Sequence, residues 1–280
     1  MLSADGWFKV KNKTKNKAKN NGFKAVVFDL DNTLVDFAKM KERACDAGIK
    51  AMKQHGLKTP FSEAKRELFK LYCEHGIENK GIFQIFLQRE LGRVDYKLLS
   101  NAIVAYRREE NDFVVPYEGV KETLAALKKR GIVLAVVTDA PRLRAWNRLA
   151  AMGLTQYFDF VLTVAETKRR KPHAAPFNAA LKKLALPAAR SSARSASGGI
   201  APPAASVLFV GDSPGRDMAG AHRAGMKTCL ARYGMRGWSK PVWRAVRRYF
   251  VDAVGKPKAK ENRVRPDFVI DDVRELKKIV

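Results

Sequence analysis

Acidic residues are scarce in this chain. Its 280 residues hold 28 Asp and Glu against 54 Lys and Arg, a formal net charge of +26. That excess goes far beyond what solubility needs, and its field concentrates anions: phosphorylated metabolites, nucleic acid or an acidic membrane surface. Cysteine is scarce as well. Cys45, Cys73 and Cys229 are scattered without paired spacing, which speaks against a disulfide framework or a zinc knuckle and for reduced thiols in a cytoplasm. No uninterrupted apolar run approaches the roughly 18 residues of a membrane span. The opening stretch MLSADGWFKVKNK lacks the apolar core of a secretory signal. With 46% hydrophobic residues, the chain has the composition of a globular protein.

The positive charge is uneven. Residues 9–24 hold seven lysines and no acid, and residues 1–22 read as a basic, disordered tail. KAVVFDL then reads as a buried strand. Helical periodicity takes over from Asp36 to about Asp112. DFAKMKERACDAGIKAMKQHG starts on an acid and stops at Gly56, and FSEAKRELFKLYCEHG follows with Ser62 as the predicted N-cap and Gly76 as the stop. Two further helices are predicted near Asn79–Leu91 and Asp95–Glu110. From residue 114 strands and helices alternate: GIVLAVVTDA, FDFVLTVAE, SVLFVGD, MKTCLARYG and DFVI are the strands. This pattern predicts a three-layer α/β, Rossmann-like parallel sheet with helices on both faces. Residues 23–35 and 114–280 form the core, and the helical block 36–113 is inserted into it as a cap. Two segments break the rhythm. Residues 187–206 are an Ala/Ser/Gly/Pro loop. Residues 235–265 are a basic insertion with a potential amphipathic helix, and residues 232–265 hold eleven basic residues against Asp252 and Glu261.

The chemistry gathers where strands end. In VVFDLDNTL a hydrophobic run meets Asp29 and Asp31, one residue apart, and then Thr33. Carboxylates so close call for a cation, a shared proton or a solvated loop. Ligands of open α/β sheets bind at the carboxyl ends of the strands. Reading only those ends collects Asp29, Asp31, Thr138, Asp139, Gly211, Asp212 and Ser213, with Asp217 in the loop before the next helix. The acids Asp29, Asp31, Asp212 and Asp217, without Cys or His nearby, suit Mg²⁺. A phosphate beside them needs a positive partner. KRRKPH, residues 168–173, supplies it, with Lys171 best placed because Pro172 restricts the backbone there and begins a helical segment.

DLDNT, VVTD, KPHAAPF and GDSPGRD, in this order, resemble the four motifs of the haloacid dehalogenase superfamily, over nearly all of residues 24–233 and the final strand and helix. The helical block resembles the family's helical cap, and Asp31 points to the phosphatase branch, since the dehalogenases lack that acid. The resemblance implies a Mg²⁺-dependent phosphomonoester hydrolase acting on a small soluble phosphorylated substrate. Asp29 would be the nucleophile, forming an aspartyl phosphate, and Asp31 the proton carrier. The Asp29 carboxylate, the Asp31 carbonyl and Asp212 would hold the metal, and Asp217 would orient a metal-bound water or Lys171. Thr138 and Lys171 would stabilise the phosphoryl oxygens. Asp139, where many relatives carry Asn or Gly, would need a positive neighbour such as Arg142 or Arg144. The cap residues Lys39, Arg43, His75, Lys80 and Arg107 carry no specific signal. The second reading is a nucleic-acid-associated binding protein on the same scaffold, which would use the basic tail and the 235–265 segment. A phosphonatase or mutase stays open within the superfamily.

Overall fold

Strand β1 (Ala25–Phe28) lies at the centre of the sheet, and each of its residues is buried. The computed structural model describes residues 22–185, 202–236 and 264–280. Residues 1–21 of the predicted basic tail, residues 187–201 of the low-complexity loop and residues 237–263 of the basic insertion lie outside the described residues. Six parallel strands run in the order β3-β2-β1-β4-β5-β6: β2 (Val133–Val137), β3 (Phe160–Leu162), β4 (Val207–Gly211), β5 (Lys227–Ala231) and β6 (Phe268–Ile270) complete the sheet. This is the doubly wound strand order that turns over between its first and fourth strands.

The side-chain alternation of β1 shows why the strand is apolar throughout. Val26 and Phe28 join a core with α5 (Val120–Lys129), α6 (Arg142–Ala151) and α10 (Leu276–Ile279). Ala25 and Val27 face the other way, into a core with Phe177, Ala180 and Leu184 of α8 (Ala174–Leu184) and Ala221 of α9 (Ala219–Arg223). A parallel strand covered on both faces has no polar side to show.

The inserted block comprises α1 (Phe37–Gln54), α2 (Phe61–His75), α3 (Ile82–Leu91) and α4 (Tyr96–Phe113). It has its own apolar cluster, including Ile49, Leu68, Phe69, Phe86 and Leu99. Gly48 allows the tight packing of this block: a Cβ there would lie 2.6 Å from the Phe83 ring and 3.3 Å from the Ala102 carbonyl of α4. The segments that enter and leave the block run side by side, Val35 bridging to Pro116 and the Tyr117 N–H donating to the Leu34 carbonyl at 3.0 Å. No helix among the described residues is long and apolar enough to cross a membrane.

Three boundaries differ from the sequence pattern. Helix α2 starts at Phe61 behind Pro60, whose carbonyl accepts from the Glu63 and Ala64 N–H groups, so Ser62 is inside the helix rather than capping it. Pro60 removes its own N–H, and the chain enters the helix directly after it. FDFVLTVAE keeps only Phe160–Leu162 as strand, because Thr163 and Glu166 form a capping box that starts α7 (Val164–Thr167). Helix α8 begins at Ala174 rather than at Pro172, with the His173 ring accepting from the Ala175 N–H at 3.1 Å.

Candidate active site

The chain leaves the sheet at Asp29, whose N–H still donates to the Val210 carbonyl of β4 at 2.8 Å. It turns at once. Asn32 takes a left-handed conformation (φ 59°) that Asn tolerates because its short amide bonds locally. Its side-chain oxygen accepts from the Ala38 N–H at 2.9 Å and its N–H donates to Val35 at 2.7 Å. Asp29 is thereby fixed and 4% exposed. Phe28 aligns with Val136 of β2 and Val210 of β4, so Thr138 and Asp212 leave the sheet at the same edge as Asp29.

Beyond β4 a turn of π-helix, Pro214–Met218, folds Asp217 back under the edge. Asp217, placed by sequence in a loop, is fully buried within this turn, and its Oδ2 accepts from the Ser213 N–H at 2.9 Å. A Cβ on Gly211 would lie 2.5 Å from that same oxygen, so glycine at the strand end makes room for the carboxylate. Lys171 approaches from the far side. Its N–H donates to Asp139 Oδ1 at 3.0 Å, and its Nζ lies 2.7 Å from both Asp29 Oδ1 and Asp217 Oδ1.

One oxygen each of Asp29, Asp212 and Asp217 lies within 4.8 Å of the others. Lys171 contacts two of these three acids, and Arg216 also acts on the group, opposing the rise of Asp212. Burial pushes the Asp29 carboxyl well up; Lys171 opposes this, and Asp217 and Asp212 add to it. Burial and then Asp217 push Asp212 up to about 7. Burial works against the Lys171 ammonium, but Asp217, Asp29 and Asp139 outweigh it and hold its pKa above the usual lysine range. Asp212 Oδ1 is buried and finds no hydrogen-bond partner among the described residues. An orphaned oxygen in an all-carboxylate group fits a small, hard divalent cation such as Mg²⁺.

Asp31, expected to serve the metal through its backbone carbonyl, has its side chain engaged elsewhere. Both its oxygens accept from one amino group of Arg148, at 2.9 and 3.0 Å, so its carboxylate stands apart from that group. Arg148 is 5% exposed and binds Glu78, between α2 and α3, with its other amino group. Burial raises Asp31, tempered by Arg148. The Thr138 hydroxyl is buried and accepts from the Ala140 N–H at 3.1 Å. Asp139 faces Arg216, 3.6 Å away, instead of Arg142 or Arg144. Arg142 pairs with Glu166 at 2.6 Å, and Arg144 reaches Glu110 at 3.5 Å. Of the cap candidates, Arg43 is paired with Glu109 at 2.9 Å and His75 closes α2.

Sequence reasoning missed Arg148, Glu78 and Arg216. Arg148 had a readable signal: it lies three residues after Ala145 and one before Leu149, on the buried stripe of α6. Arg216 was already inside GDSPGRD. Glu78 belongs to a connection with no periodicity to mark it.

The sequence pattern shared by haloacid dehalogenase-like hydrolases matches residues 26–231. The chain belongs to that family. It is 31% identical over 259 residues to the glyceraldehyde 3-phosphate phosphatase of Methanopyrus kandleri, covering 92% of this chain and 97% of that protein. To the phosphoglycolate phosphatase of Pseudomonas syringae it is 26% identical over 261 residues, covering 90% and 78%. The fold matches that of the hydrolase YfnB of the same superfamily from Bacillus subtilis, a structure described as bound to magnesium. That match has a TM-score of 0.58 and 20% identity over 92% of this chain and 98% of the other. As a member of this family the chain is a hydrolase, of its phosphatase-like branch.

Proposed function

We propose that the protein is a Mg²⁺-dependent phosphomonoester hydrolase that works on a small phosphorylated metabolite through an aspartyl phosphate at Asp29. The observation that carries this reading is the Asp29 carboxylate, buried at the centre of the strand edge, 2.7 Å from Lys171 and beside Asp212 and Asp217. A nucleophile needs a fixed position within reach of phosphorus and a means of lowering repulsion from an anionic substrate. Here the strand end supplies the position and Lys171 part of the positive charge. Asp29 and Asp212 would hold Mg²⁺, with Asp217 beside them, and the ion supplies the remaining charge that lets a phosphate approach carboxylates.

The chemistry then balances in two steps. An Asp29 oxygen bonds to phosphorus as the ester P–O bond breaks, and Asp31 gives a proton to the departing alkoxide. In the second step a water passes a proton back to Asp31 and attacks phosphorus, which releases inorganic phosphate and frees Asp29. Asp31 suits the role of proton carrier because burial favours its neutral form while Arg148 keeps its charged form within reach. Lys171 and the Thr138 hydroxyl would donate to the phosphoryl oxygens. The two phosphatases named above make small three- and two-carbon phosphates the first substrates to try.

The test is phosphate release from glyceraldehyde 3-phosphate, phosphoglycolate and an aryl phosphate, by wild type and Asp29→Asn, in EDTA and after adding Mg²⁺. Wild type is expected to be silent in EDTA and rescued by Mg²⁺. Asp29→Asn is expected to lose roughly 10³-fold or more in kcat while folding normally. Full turnover by the Asn variant would remove Asp29 as nucleophile. Undiminished turnover in EDTA would remove the metal.

A further inference from the structure

Helix α6 of the core and the inserted helices line an open cavity of about 310 Å³, the size of a small-molecule site. Its walls include Lys41 of α1, Glu78, Arg107 and Glu110 of the inserted block, and Arg144 of α6. Glu78 is also the partner of Arg148, which holds Asp31, so the cavity wall and the strand edge share one arginine.

Lys41 is the unusual group. It is 3% exposed, donates to the Tyr106 hydroxyl at 2.8 Å and lies 4.2 Å from the centre of the Tyr72 ring. It forms no ion pair with any described carboxylate. A buried ammonium without an anionic partner is costly, and burial pulls the Lys41 pKa down. The acids near it are already engaged. Glu78 binds Arg148 and lies 3.9 Å from Arg144, and Glu110 accepts from Arg144 at 3.5 Å and from the Tyr106 hydroxyl at 3.4 Å. Lys80 and Arg107, on the same cavity, also lack ion pairs among the described residues. Three of the four cations lining this small space thus have no ion pair among the described residues, and its carboxylates are spent on other partners.

We propose that this cavity receives the end of the substrate remote from its phosphate, and that Lys41, assisted by Arg107, selects substrates carrying a carboxylate there. The inference rests on the phosphatase reading and narrows its substrate class to small phosphorylated carboxylic acids. A carboxylate would give the buried Lys41 ammonium its missing counter-charge through a charge-assisted hydrogen bond. A neutral aldehyde or hydroxyl end would leave the ammonium uncompensated.

The experiment compares kcat/KM for phosphoglycolate, whose far end is a carboxylate, with that for glyceraldehyde 3-phosphate, whose far end is neutral. Wild type, Lys41→Met and Arg107→Gln are measured side by side, with circular dichroism to check folding. Methionine matches the length of the lysine stem and suits the aromatic surroundings. Wild type is expected to prefer phosphoglycolate, and Lys41→Met to reduce that preference on the order of tenfold to a hundredfold. Arg107→Gln, at an exposed position, is expected to shift it the same way by less, and it gives a reading even if Lys41→Met fails to fold. Turnover of both substrates with the same preference in wild type and in the folded variants overturns the cavity's role and leaves the phosphatase reading standing. No phosphate release from either substrate or from an aryl phosphate by wild type overturns both.

Discussion

Asp212 shows how a single carboxyl can tie stability to pH and, with the proposed Mg²⁺, to metal. Its ordinary value is 3.8, and in the fold it is pushed up to about 7. Between those values the native state holds a proton that the unfolded chain has lost. The stabilisation is therefore complete below the lower value and fades as pH rises towards the upper one. Burial moves Asp29 in the same direction. In EDTA, the melting temperature is expected to fall between pH 5 and pH 8, and Asp212→Asn, which has no proton to lose, should flatten that decline. Added Mg²⁺ should raise the melting temperature more at pH 8 than at pH 5, because a protonated ligand must give up its proton to bind metal. Equal decline in wild type and Asp212→Asn, followed by scanning calorimetry, would assign the slope to other groups.

At the scale of elements, one side chain joins the inserted helices to the sheet edge. Arg148 of α6 binds Asp31 at the strand end and Glu78 between α2 and α3. It is buried, whereas Arg142 of the same helix pairs with Glu166 of α7 at the surface, with 60% of the arginine side chain exposed. Removing one partner of a buried ion pair leaves carboxylates without compensation, while exposed pairs contribute little. Arg148→Met is expected to cost roughly 3 kcal/mol in urea denaturation, and Arg142→Met less than about 1 kcal/mol. Similar losses for both would mean that Asp31 and Glu78 are readily hydrated once Arg148 is gone. The element scale also shows where sequence patterns mislead. Strand FDFVLTVAE is apolar enough to read as one piece, yet the Thr163–Glu166 capping box overrides the run after Leu162.

For the whole molecule the excess of 26 positive charges sets a field that no single contact describes. Such a field raises the local concentration of an anionic substrate and is screened by salt. The value of kcat/KM for a phosphorylated substrate is expected to fall several-fold as NaCl rises from about 50 to about 500 mM, with kcat changing less. Stopped assays over that range check it; a flat profile would confine the useful charge to Lys171 and its immediate neighbours. The same charge underlay the nucleic-acid reading, but the tail and most of the basic insertion on which that reading depended lie outside the described residues.

The sequence by itself determined the architecture and the ends of the central strands. Buried parallel strands must be apolar on both faces, so β1, β2 and β4 stand out as continuous runs, and the first polar residue after each, Asp29, Thr138 or Asp212, marks the edge where ligands bind. Four ordered motifs also made the family legible. Only the tertiary structure decided who pairs with whom. Asp31 meets Arg148 across 117 positions of sequence and Lys41 meets Tyr106 across 65. That Asp212 Oδ1 meets no hydrogen-bond partner and the Lys41 ammonium no ion pair among the described residues is likewise a matter of what lies nearby. Charge compensation inside a protein is a matter of a few ångströms and of local desolvation. Neither distance nor solvent access is written in the order of residues, and both come into being when helices from separate parts of the chain close over one strand edge.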